Sequence, residues 1–195
     1  MTPTFDFEPA ATALETVVAG IADDQFAAPT PCADTTVAAL LEHVLELTEA
    51  FRQSATKESV GNSTPPALEH DSKLPDDWRT RIPAQLKALV AAWREPDAWE
   101  GETEAGGVRE AAIVMAVIAL DEIVVHGWDL AKATGQPFSC TDSHAAILFD
   151  FLRETPMSGT PGLFGPVVDV PADAPLLDRV IGLTGRDPDW SAQSD

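Results

Sequence analysis

Residues 111–137 read AAIVMAVIALDEIVVHGWDLAKATGQP. Ten apolar residues, 111–120, run directly into Asp121 and Glu122, and Gly135 and Pro137 close the stretch. The apolar run is well short of the ~20 residues that span a bilayer, so it reads as a buried helix of a globular chain. Because its first half is apolar on nearly every face, this helix, over about residues 108–134, is expected to be the central element of the fold. Gly135 is its natural stop, since glycine takes the left-handed conformation that ends a helix without steric cost.

The flanking sequence repeats the helical period. Residues 8–22 place Ala11, Leu14, Val17, Val18 and Ile21 at three-and-four spacing, the stripe of an amphipathic helix. The Pro29, Pro31 and Asp34 punctuation then breaks the pattern. Thr35 or Asp34 can cap a second helix to about residue 55, with stripe Val37, Leu40, Val44, Leu47 and Phe51. Residues 56–74 lose periodicity and read as an exposed loop. A third helix over residues 76–94 carries Trp78, Ile82, Leu86, Leu89, Val90 and Trp93, with Pro83 as a potential kink. Residues 95–107 read as a polar loop. Beyond Gly135, a helix over 142–154, a Gly/Pro loop, a short extended piece at 167–170 and a last helix over 175–184 complete the chain. The fold class is therefore all-α: a four-helix bundle with additional short C-terminal helices, forming a single domain over residues 1–195.

Composition narrows the partners. Thirty-two Asp plus Glu against 12 Lys plus Arg give a formal charge of -20, which repels the phosphates a nucleic-acid binder must neutralise. Nucleic acid and membrane are excluded as expected partners. Two cysteines, Cys32 and Cys140, form neither a disulfide framework nor a zinc knuckle. An acidic N-terminus without an apolar run is no signal peptide. A cytoplasmic location is the expectation.

Chemistry concentrates in DEIVVHGWDL. Glu122 and His126 are one helical turn apart and leave the same face, and imidazole nitrogen with carboxylate oxygen suits zinc and its neighbours. A carboxylate in so apolar a run needs a compensating charge. Spacing alone leaves three arrangements open: a ligand pair, a metal-free Glu122 and His126 ion pair, and a Glu122 turned to solvent. His43 lies at the border of the second helix's stripe, facing a neighbouring helix, and Asp129 is placed to orient a histidine ring. His70 and His144 lack partners at ligand spacing and read as surface residues. Cys32 is too far along the chain to share ligands with His43 and reads as a core or loop residue. No nucleophile elbow, P-loop, dinucleotide fingerprint or EF-hand spacing occurs.

Three segments, TPCADTTVAALLEHV (residues 30–44), DEIVVHGWDLAKATGQP (121–137) and LLDRVIGLTGRDPDW (176–190), resemble the DinB-like metal-binding bundles. The resemblance is to the N-terminal domain of mycothiol-dependent maleylpyruvate isomerase and its actinobacterial relatives. It implies a DinB-like four-helix bundle in which a second-helix histidine joins a Glu and a His four apart on a later helix. The matching positions are His43, Glu122 and His126, holding one divalent metal, zinc or nickel. It further implies mycothiol as co-substrate, a small-molecule thiol or electrophile as partner, and a metal-dependent thiol transferase or isomerase. Thr35 departs from the aromatic residue frequent there in relatives. The isomerase carries a further C-terminal domain, and this chain is expected to end before one. A non-catalytic metal-binding or regulatory module is the alternative, and assembly, a homodimer included, stays open.

Overall fold

The central stretch folds as one long helix, but it starts later than its apolar pattern suggests. The computed structural model describes residues 3–64 and 74–192. Its elements run α1 (Glu8–Gly20), α2 (Val37–Thr56), α3 (Trp78–Arg94), β1 (Glu102–Ala105), β2 (Val108–Ala111), α4 (Ala112–Thr134), α5 (Asp142–Leu152) and α6 (Leu176–Leu183), with short 3-10 turns at Asp23–Gln25 and Pro96–Trp99. α1 and α2 each pack against both α3 and α4, so the four long helices close a ring around one core. Leu14, Leu41, Ile82, Leu89, Ala116, Leu120 and Ile123 fill it, and none retains measurable exposure. No described helix is long and apolar enough to cross a membrane.

The caps follow from local chemistry, with one shift from expectation. Thr36, neither Thr35 nor Asp34, caps α2: its hydroxyl accepts from the Ala39 N–H at 3.3 Å. The Thr35 hydroxyl is instead spent inside its turn, on the Ala33 carbonyl. Thr36→Ala is expected to cost about 1 kcal/mol by urea denaturation, whereas Thr35→Ala, which caps nothing, should cost less. At the same end of the bundle Gly135, at φ 69°, stops α4 as expected. Its N–H reaches the Lys132 carbonyl and the Gln136 N–H the Ala131 carbonyl, the paired bonds of a Schellman turn.

Residues 95–111 correct the expectation of a polar loop leading into helix. Glu102 pairs with Ala111 and Ala105 with Val108 in an antiparallel hairpin. Gly106 and Gly107, both at positive φ, form the two-residue turn whose twist suits a hairpin. Thr103 pins it, donating to the Ser54 carbonyl at 2.6 Å. Further on, α5 ends at Leu152 rather than 154, and residues 167–170 form no strand, although Val168 donates to the Gly182 carbonyl.

Burial along α4 also inverts the sequence pattern. In the apolar first half Ile113 is 41% exposed, while nearly every residue from Asp121 to Ala131 is buried. The cause lies far along the chain: α6 and the residues after it fold over the second half, packing Ile181, Leu177 and Trp190 against Val125 and Trp128. Gly127 permits the approach from the loop side, since a Cβ there would meet the Phe138 ring at 2.7 Å. The polar half of α4 is thus enclosed, and charges placed in it must find partners.

Candidate metal centre

α2 and α4 lie side by side, and this packing brings His43 to the Glu122 and His126 face. The Glu122 Oε2 atom lies 3.0 Å from His126 Nε2 and 3.5 Å from His43 Nε2. The two rings are 5.0 Å apart and nearly perpendicular. One ligand atom from each residue fits within a 4.8 Å group. Yet Glu122 Oε2 is buried, and neither nitrogen, close as each lies, meets it at a good hydrogen-bonding angle. Two nitrogens and a carboxylate oxygen converging without a well-angled hydrogen bond between them is the arrangement a shared divalent cation satisfies. The group opens at His43, whose side chain is 37% exposed, against 11% for His126.

Behind the group runs a chain of partners. His126 Nδ1 meets Asp129 Oδ2 at 3.1 Å, and Asp129 is fully buried. Arg186 grips the same carboxylate on both oxygens, Nε to Oδ1 at 2.8 Å and Nη2 to Oδ2 at 2.9 Å.

The family model for the mycothiol maleylpyruvate isomerase N-terminal domain matches residues 7–131. The chain belongs to that family. The match spans all three grouped residues and ends before α5, α6 and Arg186. The chain is also similar in fold to the crystal structure of the mycothiol-dependent maleylpyruvate isomerase, at 17% identity and TM-score 0.66, covering 93% of this chain and 87% of that one. A histidine-to-alanine mutant of that isomerase matches at 17% identity and TM-score 0.60, covering 86% of this chain and 75% of that one. Both alignments extend past the family model, so the C-terminal segment takes part in the likeness. No curated protein matches.

Charge in this member of the family is set by mutual proximity. Burial opposes a charged His126, but Asp129 and Glu122 on either side outweigh it and push its pKa up to about 10. Burial likewise opposes a charged Glu122, yet the two histidines hold it well below the carboxylate range. For Asp121 the charges of Arg186 and His126 are too weak to offset burial. Burial, and then the neighbouring Glu122 charge, push it up to about 7, and its Oδ1 is buried without a partner.

The reading of one single residue changes. His144 is not a surface residue: it is 3% exposed, its Nε2 bonds the Asp6 carbonyl at 2.9 Å, and its ring packs edge-on against Phe5. His70 lies outside the described residues. Cys32 does sit in a loop, but that loop folds back onto α4, so its thiol forms a second group with His126 and Asp129. This second group is the poorer cation site, because Arg186 already neutralises Asp129 on both oxygens. Nothing in the sequence marks Arg186. It is 57 residues from Asp129, a separation no periodicity reports.

His126→Ala should abolish most of any bound metal, whereas His144→Ala should leave metal content unchanged while lowering stability. Elemental analysis of the two purified variants checks this, and equal losses would refute the grouping.

Proposed function

We propose that His43, Glu122 and His126 together hold one divalent cation, zinc or nickel, and that the chain is a metal-dependent thiol transferase or isomerase using a low-molecular-weight thiol, mycothiol by family. The single observation that carries the metal reading is the buried Glu122 Oε2, close between two imidazole nitrogens yet without a well-angled hydrogen bond to either. Three protein ligands leave a coordination position open, as catalytic rather than structural zinc sites do. A cation there supplies the positive charge that keeps a thiol in its nucleophilic thiolate form at neutral pH. The protein's part is positional. α4 fixes Glu122 and His126 on one face, α2 brings His43 from the solvent side, and Asp129 steadies the His126 ring from behind. The exposed edge at His43 is where a small thiol and its electrophilic partner would enter. One domain over residues 1–195, working in a reducing cytoplasm where such thiols persist, completes the reading.

The test is elemental analysis of the purified protein, followed by thiol-conjugation and maleylpyruvate isomerisation assays with mycothiol. One metal per chain and turnover that Glu122→Gln abolishes are expected. Stoichiometric metal without turnover on any electrophile would leave a non-catalytic metal-binding module, and metal-free protein after growth and refolding with zinc would overturn the reading.

A further inference from the structure

We propose that Arg186 is a positioning residue for the metal centre, acting through Asp129 on the ring of His126. The inference rests on the metal reading above and adds to it a residue outside the 7–131 family span.

The geometry has three steps. A guanidinium is a planar fork, and by taking Oδ1 at 2.8 Å and Oδ2 at 2.9 Å it fixes the plane of the Asp129 carboxylate as well as its place. Asp129 Oδ2 is then shared between Arg186 Nη2 and His126 Nδ1, the latter at 3.1 Å. A carboxylate gripped in this way accepts, so Nδ1 of a neutral His126 carries the hydrogen and Nε2 presents its lone pair. That Nε2 is the atom 3.0 Å from Glu122 Oε2. Arg186 thereby selects the ring's tautomer and angle without touching a ligand of the proposed site.

The C-terminal segment is built to hold Arg186 still. The Arg186 Nη1 donates to the Thr184 carbonyl at 3.2 Å. Just beyond it, Lys132 Nζ reaches the Pro188 carbonyl at 2.7 Å, tying the segment to α4. The preceding Gly185, at φ 78°, lies so close to Gly165 that a Cβ would meet its backbone at 2.7 Å. Arg186 itself is 8% exposed. Burying a guanidinium and a carboxylate together adds little net stability over a well-packed apolar pair. Orienting a ligand gives the pair a use that stability does not.

Cobalt(II), whose visible absorption reports ligand geometry, serves as the probe for the wild type, Arg186→Gln and Arg186→Lys. Affinity is read by chelator competition at a temperature where circular dichroism shows each protein folded. The wild type should bind one cobalt. Arg186→Gln should bind about 10- to 100-fold more weakly, the usual loss for an outer partner of a metal ligand, with an altered absorption envelope. Arg186→Lys keeps the charge but lacks the fork, and should recover little of the loss. If Arg186→Gln fails to fold, the lysine variant decides alone. Unchanged affinity and spectrum, even with lowered stability, would make Arg186 a structural residue and overturn the proposal. Raised affinity would overturn it too, showing only a repelling charge removed. A wild type that takes up no cobalt overturns the metal reading and this inference together, whereas wild-type binding matched by both variants overturns the inference alone.

Discussion

Asp129→Ala is expected to destabilise the protein by about 3–5 kcal/mol, because it removes one partner of a buried ion pair and strands the other. Asp129 has no exposed surface and Arg186 keeps 8%, so water cannot replace the lost carboxylate. The substitution also unpairs His126 Nδ1. The contrast is Arg94, whose guanidinium meets Asp6 and Glu8 while 51% exposed. Water screens pairs of that kind, so Arg94→Ala should cost far less than Asp129→Ala although it breaks two contacts. Urea denaturation of the two metal-free variants, with Asp129→Asn as an isosteric control, measures the difference. A loss for Asp129→Ala no larger than that for Arg94→Ala would show that the buried pair is not held as the structure has it.

The sequence carried the bundle because its signal is local. Stripes such as Leu40, Val44, Leu47 and Phe51 repeat with the helical period, and each helix reports itself within a few turns. The Glu122 and His126 face was readable for the same reason, whereas His43 was indicated only by likeness to a family, since nothing on α2 reveals which α4 residue it meets. What escaped depended on long-range packing. The hairpin had a readable turn in Gly106 and Gly107, but its short strands lack a strong alternating pattern. His144 was misread because its partner is the carbonyl of Asp6, 138 residues away. The buried half of α4 differs from its sequence pattern because apolar content is not enclosure: Ile113 faces outward while Asp121, Asp129 and His126 are buried, and the C-terminal segment packs on Val125 and Trp128 and pairs Arg186 with Asp129. Arg186 lies in a segment that resembles relatives, with no sign in the sequence that it reaches back to the site.

Zinc is expected to raise the melting temperature in a way whose pH dependence opposes that of the metal-free protein. In the metal-free state His126 titrates at about 10 against its ordinary 6.5. A raised pKa means the folded state holds the proton more tightly, so this contribution is complete below about 6.5 and is lost as pH rises toward 10. Glu122 has its pKa lowered. Its contribution is present above the ordinary carboxylate range and disappears only in acid, whereas Asp121, pushed up to about 7, loses its contribution as pH rises from the carboxylate range toward 7, so Asp121 and His126 together give metal-free stability a downward slope through neutrality. Coordination reverses that slope, because both imidazoles must be deprotonated to bind and each unit of acidity favours the competing proton. The increment from zinc should therefore grow as pH rises through the range in which metal-free stability declines. Free zinc at about a hundred times its dissociation constant adds about 2.7 kcal/mol, which in a chain of this size is about 5–10 °C. Thermal melts from about pH 5 to 9, a range spanning the histidine pKa, with zinc and with chelator, read both slopes on one protein. Melting temperatures that ignore zinc and chelator at every pH, or an increment that shrinks as pH rises, would leave Glu122 and His126 as a metal-free ion pair.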